Sequence, residues 1–389
     1  MKKGIKKIFR YIGYLLFRPL WWLEKLCIRN PKIWVFGAWY GQKYSDNSKW
    51  LYEYILNNEK NIKAIWITKN IDIYKELYSQ GKPVYMSKSI KGALCCLRAK
   101  YAFFSSTQLD VNYFFLNGAK QIWLWHGMPL KKILLSEGKP QCKFRNLLNP
   151  YERFLPDYTL TSSDFFIPFL VDAFALNEQK IIKTGLPRCD AFVQNKEKEQ
   201  FILSLRKKFP GAKIFIYLPT FRMKQMNGGE CFNPFISDFS FNEIEFVSFL
   251  ESTNSVFLYK PHYVDADVKV NISSDRFFRL QDSDFSDLYT LLNEIDILVT
   301  DYSSVYFDFL ASRKPTILLP FDYQNYKMNS RDVYFELYDE VDCKKFTDWH
   351  SFLNNKETIN FSKKDYLKFA KYLDGFSCKK ICDFFLELK

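Results

Sequence analysis

The chain has 389 residues, 48% hydrophobic and 25% charged, which excludes a disordered protein and gives material for roughly two domains with real cores. A net charge of +13 calls for a negatively charged partner (nucleic acid, an anionic membrane or a phosphorylated substrate) without choosing among them. Nine cysteines show no zinc or thioredoxin spacing and mostly sit in or beside apolar runs, so they read as reduced core thiols of a cytoplasmic protein.

Residues 1–32 set Lys2, Lys3, Lys6, Lys7, Arg10, Arg18, Lys25, Arg29 and Lys32 against the single acid Glu24. Ile5, Ile8, Phe9, Ile12, Leu15 and Leu16 recur at helical spacing, and Trp21 and Trp22 follow Pro19. The longest uncharged run, 11–17, is far short of the about 20 residues that span a bilayer, and no signal-peptide cleavage site follows it. The pattern predicts a basic amphipathic helix over residues 1–31, lying on an anionic membrane surface. A helix packed on the protein body would share this pattern.

From residue 32 strands and helices alternate. Strands are expected at 33–37, 63–68, 83–86, 101–105, 121–125, 158–161 and 181–184, with helices at 48–57, 71–80, 89–100 and 196–208. A second alternation brings strands at 213–218, 256–260, 277–280, 297–300 and 316–319. Residues 223–241 read as a mobile loop at the cleft, and 364–389 as amphipathic helix. The fold class is therefore α/β, with two Rossmann-like doubly wound domains at 32–210 and 211–389.

The polar residues that stand out follow strands. They are His126, Gly127 and Lys131, then Arg188 and Asp190, Arg222, His262, and the run Asp301, Tyr302, Ser303 and Ser304. Ligands in open α/β sheets bind outside the carboxyl ends of strands. Val305, Phe309 and Leu310 keep helical spacing, with Ser303 or Ser304 as N-cap, so the turn at 301–304 reads as a diphosphate cradle. An ordinary capped helix would look the same. Neutral histidine suits a general base near pH 7, and arginine suits phosphate oxygens. The chain has no P-loop, no dinucleotide fingerprint and no His/Cys cluster for catalytic zinc. Asp265-Ala266-Asp267 is too short a match to carry a metal site, so neither metal nor cofactor is expected. No nucleic-acid-binding pattern accompanies the positive charge.

Several stretches, in this order, carry a resemblance: Gly41–Asn47, Trp125–Lys131, Gly185–Asp190, Pro219–Arg222, His262, Thr300–Ser304, Phe307-Asp308 and Lys314-Pro315. Together the chain resembles the CDP-glycerol glycerophosphotransferase family of teichoic-acid and capsule synthesis. The resemblance implies a GT-B fold and a peripheral enzyme on the cytoplasmic face of the cell membrane. It implies transfer of glycerol or ribitol phosphate from a CDP-polyol to a lipid-linked or glycan acceptor. By motif, His126 is the catalytic histidine near the acceptor, and His262 and Asp301–Ser304 hold the donor diphosphate, with Arg222 nearby. Met128 stands where the family usually has Thr, Met223 where Asp is frequent, and 331–334 departs from the usual Arg-Gly-x-Tyr. Two rivals remain: a GT-B glycosyltransferase using a nucleotide sugar, and a membrane-bound scaffold that binds nucleotide without turnover. The sequence sets neither the polyol nor the oligomeric state. The lack of a large extra domain leans toward priming or short-chain extension.

Overall fold

Two sheets, parallel throughout, organise the computed structural model, which describes residues 23–138, 155–194, 198–220, 222, 232–262, 265, 268–329 and 332–388. The first holds β1 (Asn30–Gly37), β2 (Lys63–Thr68), β3 (Val84–Met86), β4 (Ala99–Phe104), β5 (Lys120–Trp123), β6 (Tyr158–Leu160) and β7 (Ile181–Ile182). Their order is β3-β2-β1-β4-β5-β6-β7. The second holds β8 (Lys213–Leu218), β9 (Ser255–Tyr259), β10 (Phe277–Arg279), β11 (Ile297–Thr300), β12 (Thr316–Leu318) and β13 (Lys344–Lys345), in the order β10-β9-β8-β11-β12-β13. The winding direction reverses between β1 and β4 and again between β8 and β11. Such switch points open a crevice beyond the strand ends.

The central strands are apolar along most of their length, as strands of a parallel sheet covered on both faces are. Ile297, Leu298 and Val299 of β11 are buried, as are Ile214, Phe215, Ile216 and Tyr217 of β8. The second sheet packs one face on an aromatic core that includes Phe215, Phe246, Phe257, Phe277 and Trp349. Phe235 belongs to this core, 5.1 Å from the Trp349 ring and 5.0 Å from Tyr259. This corrects the mobile-loop expectation for 232–241, because burial of Phe232 and Phe235 anchors that part. Residues 223–231 lie outside the described residues.

The C-terminal region departs from a single helix. It forms Lys363–Phe369 and Ser377–Glu387, separated where Gly375 takes φ +87°. The last helix returns to the first sheet, where Phe385 meets Trp34, Tyr101 and Phe103 at 6.2, 5.1 and 5.5 Å. Chain order puts this helix in the second half, but its apolar face is satisfied on the first.

Residues 1–22 of the expected amphipathic helix lie outside the described residues. Just after them Leu23, Leu26 and Ile28 are exposed. Arg29, counted above among the membrane-facing cations, instead donates to the carbonyls of Cys96, Ala99, Phe115 and Asn117. Glu24 is buried beside it and accepts from the Asn117 N–H at 3.0 Å. This pair staples the start of β1 to the body.

Candidate active site

Beyond β5 the chain passes through Leu124 and Trp125 to His126. Trp125 is in the left-handed region, φ 58°, where a bulky residue persists only if its surroundings hold it. Asn47, fully buried, does so by donating from Nδ2 to the carbonyls of Trp125 at 2.7 Å and Leu124 at 3.3 Å. The imidazole centre is 4.3 Å from the Trp125 ring and 5.3 Å from the Trp39 ring. His126 Nδ1 is 3.1 Å from the Ser105 carbonyl oxygen. A carbonyl only accepts, so in the neutral ring this contact puts the proton on Nδ1 and the lone pair on Nε2. That tautomer is the one a general base needs.

On the other side, β11 runs into Asp301. Its carboxylate accepts from the backbone N–H of Thr220 at 2.8 Å and of Tyr302 at 2.5 Å, and from Arg222 at 3.0 Å. Arg222 also grips Asp322 through two bonds of 2.7 and 2.8 Å, and its guanidinium lies 3.9 Å from the Phe232 ring centre. Asp301 and Arg222, which the resemblance gives to the donor diphosphate site, brace one another here, and two carboxylates occupy the arginine fork. They fix the ends of β8 and β11.

Ser303 Oγ accepts from the Val305 N–H at 3.3 Å, so this hydroxyl caps the short helix Val305–Phe309, while the residue at the N-cap position is Ser304. Tyr302 stacks on Tyr326 at 3.8 Å and donates to Asp322 at 3.2 Å. His262 follows β9. Burial, with Lys260 and Lys131 nearby, pushes its pKa down to about 4. The ring is therefore neutral at pH 7 before any anion binds.

The two sides meet at Gly127. Its φ is +130°, and a Cβ there would lie 2.9 Å from Ser304 Oγ and 3.1 Å from Arg188 Nη2. Only glycine lets the His126 loop come this close to the 301–304 turn. Further along, Lys131 bridges to Val333, Lys132 N–H donates to the Asp332 carbonyl at 2.8 Å, and Tyr334 N–H to Leu130 at 2.9 Å. Lys131 Nζ lies 5.2 Å from the Tyr326 ring centre. His126, Gly127, Lys131, Arg222, His262 and Asp301–Ser304 are thus brought to one cleft.

Two sequence candidates lie apart from its opening. Arg188 is buried beneath Gly127, paired with Asp46 at 2.8 Å and Asp308 at 2.6 Å. Asp190 accepts from the N–H groups of Ser377 and Cys378, both at 2.9 Å, and so caps the last helix. Asn47, Ser105, Asp308 and Asp322 also shape the site. Asn47 and Asp308 lay inside quoted motifs, whereas Ser105 acts through its carbonyl and carries no side-chain signal.

A family model described as CDP-Glycerol:Poly(glycerophosphate) glycerophosphotransferase matches residues 22–387. The chain belongs to this family. It is similar to a teichoic acid glycerol-phosphate transferase of Staphylococcus aureus, 28% identical over 402 residues, with 98% of each chain covered. It is also similar to the ribitol-phosphate polymerase TarK of that organism, 25% identical, covering 98% of this chain and 73% of that one. Among solved structures, the wall teichoic acid polymerase TagF (an H548A variant) aligns with TM-score 0.74 and 21% identity, covering 100% of this chain and 98% of that one. The fold is GT-B, and the protein is a transferase of the glycerophosphotransferase type.

Proposed function

We propose that the cleft transfers glycerol phosphate from CDP-glycerol to a hydroxyl of a lipid-linked or glycan acceptor, in synthesis of a teichoic-acid-like or capsular polymer. The observation that supports this reading is the close approach of Gly127 to Ser304, next in the chain to a histidine whose Nδ1 faces the Ser105 carbonyl. The acceptor O–H gives its proton to His126 Nε2 as its oxygen attacks the β-phosphorus. The bridging P–O bond breaks, and CMP leaves with that electron pair. Ser303, Ser304, the backbone N–H groups of their turn and His262 donate to the phosphate oxygens, and Lys131 supplies positive charge. Such chemistry depends mainly on positioning and charge stabilisation. The glycerol-phosphate relative, matched almost end to end, favours glycerol, and the similarity to TarK keeps ribitol as the second polyol.

CMP release from CDP-glycerol with a defined lipid-linked acceptor tests the reading, beside CDP-ribitol and UDP-sugars. In thermal shift, a ligand at 100 times Kd stabilises by about 2.7 kcal/mol, so the preferred donor stands out. A UDP-sugar that gives the largest shift and turns over would replace this function with glycosyl transfer. No shift with any nucleotide, with acceptor present, would remove the cradle.

The same reading puts the protein on the inner, anionic membrane surface through residues 1–22. Exposed Leu23, Leu26 and Ile28 extend an apolar edge toward that segment, and no helix among the described residues is long and apolar enough to cross a membrane. A chain starting at Leu23 keeps the Glu24 and Arg29 staple. It should lose salt-sensitive binding to anionic vesicles, and equal binding by both chains removes the anchor.

A further inference from the structure

We infer that Arg188 is a positioning residue, whose buried guanidinium sets the spacing between the His126 loop and the donor-side helix. The inference rests on the transfer chemistry proposed above. Arg188 is 6% exposed and follows β7 of the first half. Nη1 donates to Asp46 Oδ1 at 2.8 Å, in the same half, and Nη2 to Asp308 Oδ2 at 2.6 Å, across the cleft. Asp308 lies in the helix Val305–Phe309, one turn beyond Ser304. One cation therefore joins the first half to the helix that carries the cradle.

The other end of the relay is the base. The Arg188 backbone N–H donates to Asn47 Oδ1 at 3.1 Å, and the Asn47 amide holds the Trp125 carbonyl at 2.7 Å, one residue before His126. Asp46, the partner of Arg188, is itself left-handed at φ 66°, as Trp125 is at 58°. Two strained residues thus border the same network, which over-determines their conformation. Gly127 closes the circuit, because its missing Cβ would press on Arg188 Nη2 and Ser304 Oγ together.

An ion cluster is a costly way merely to join two domains. Arg188 Nε and Asp308 Oδ1 are buried with no hydrogen-bond partner. Tyr289 donates to Asp308 at 2.6 Å, and its ring centre lies 4.7 Å from the guanidinium. Apolar side chains of similar volume often serve stability equally well. What they cannot supply is the fixed angle and distance of a two-pronged guanidinium held between carboxylates. Phosphoryl transfer needs that fixity, because the base and the phosphorus are carried by different halves.

The test compares Arg188→Lys, which keeps the charge but loses the fork, with the neutral double variant Arg188→Met/Asp308→Asn. In each folded protein, kcat for CMP release should fall by about 10- to 100-fold, the cost of a misplacement near 1 Å, while the CDP-glycerol Kd measured by calorimetry stays within about twofold. Hydrogen exchange should quicken at 124–127 and leave the strands of both sheets unchanged. Near-normal kcat in either folded variant overturns the inference, as does a kcat loss that only follows the fall in Tm. If wild-type protein releases no CMP from either CDP-polyol, the proposed function fails. The exchange measurement then decides this inference alone, and unchanged protection at 124–127 in Arg188→Lys rejects it.

Discussion

Gly127→Ala probes the closest approach of the two halves. At φ +130° an L-residue is held outside its allowed regions, which costs about 1–3 kcal/mol. The new Cβ would sit 2.9 Å from Ser304 Oγ and 3.1 Å from Arg188 Nη2, where comfortable contacts begin near about 3.5 Å. Roughly 0.5 Å must therefore be found on each side. Arg188 cannot yield it, since Asp46 and Asp308 hold its guanidinium at 2.8 and 2.6 Å. The displacement falls on Ser304 and on the His126 loop, which pulls the base away from the phosphorus. A shift on the order of 1 Å costs about 10²-fold in rate, so kcat for CMP release at saturating donor and acceptor should drop by about 30- to 100-fold. Tm should fall by several degrees, and CDP-glycerol affinity by calorimetry should change by no more than about threefold, because the rest of the cradle stays in place. A folded Gly127→Ala protein whose kcat lies within about threefold of wild type would refute the claim that this contact sets the reacting distance.

His126→Asn keeps a donor for the Ser105 carbonyl but loses the basic nitrogen; turnover should fall by at least about 10²-fold with donor binding retained, and near-normal turnover would remove His126 as the base. His262 has a pKa of about 4 in the free protein, and a neighbouring diphosphate must raise it. The complex then holds more protons than the free protein, so donor affinity should strengthen as pH falls from about 7 toward 5. Calorimetry in buffers of different ionisation heat should register proton uptake that His262→Gln abolishes, and pH-independent binding by wild type would contradict the assignment. Burial lifts Glu24 from 4.5 to about 7, against the Asn117 hydrogen bond and the Arg29 charge. The folded state then favours the protonated acid, a contribution present below pH 4.5 and lost as pH rises through about 7. Glu24→Gln should accordingly melt higher than wild type at pH 8 and alike near pH 4, and equal Tm at pH 8 would count against the shift.

Where a strand is buried on both faces, its composition alone located it, as with Lys63–Thr68, Lys213–Leu218 and Ile297–Thr300, which begin and end where expected. β13 has only Lys344 and Lys345 and offers no apolar signal, so it was missed. The fate of the last helix was also hidden. Phe385 advertises an apolar face but not which sheet will cover it. At the site, strand-end placement singled out His126, His262 and the 301–304 turn as candidates. It could not assign partners. Arg188 and Arg222 look like phosphate ligands in sequence because arginine usually is one at such positions. Asp46, Asp308, Asp301 and Asp322, distant in the chain, occupy them instead. Nor could periodicity reveal that Asn47 would brace a strained Trp125, since that depends on a turn 78 residues away.

These partnerships change where the charge for the donor comes from. Around the cradle Arg222 is balanced by both Asp301 and Asp322, Lys260 is paired with Asp282 at 2.9 Å, and His262 starts neutral. Those groups alone give the second half a negative balance around the proposed donor site. The compensating charge includes Lys131, which belongs to the first half and reaches across through the pairing of 130–132 with 332–334. His126, Gly127 and Lys131 therefore lie on one loop, and the proposed reaction gives them linked tasks: proton acceptance, close approach and charge. A loop that moved away would lose the base and the cation together. In the proposed reaction that coupling would tie charge neutralisation of the donor to alignment of the base, because both come from the same seven residues, Trp125–Lys131.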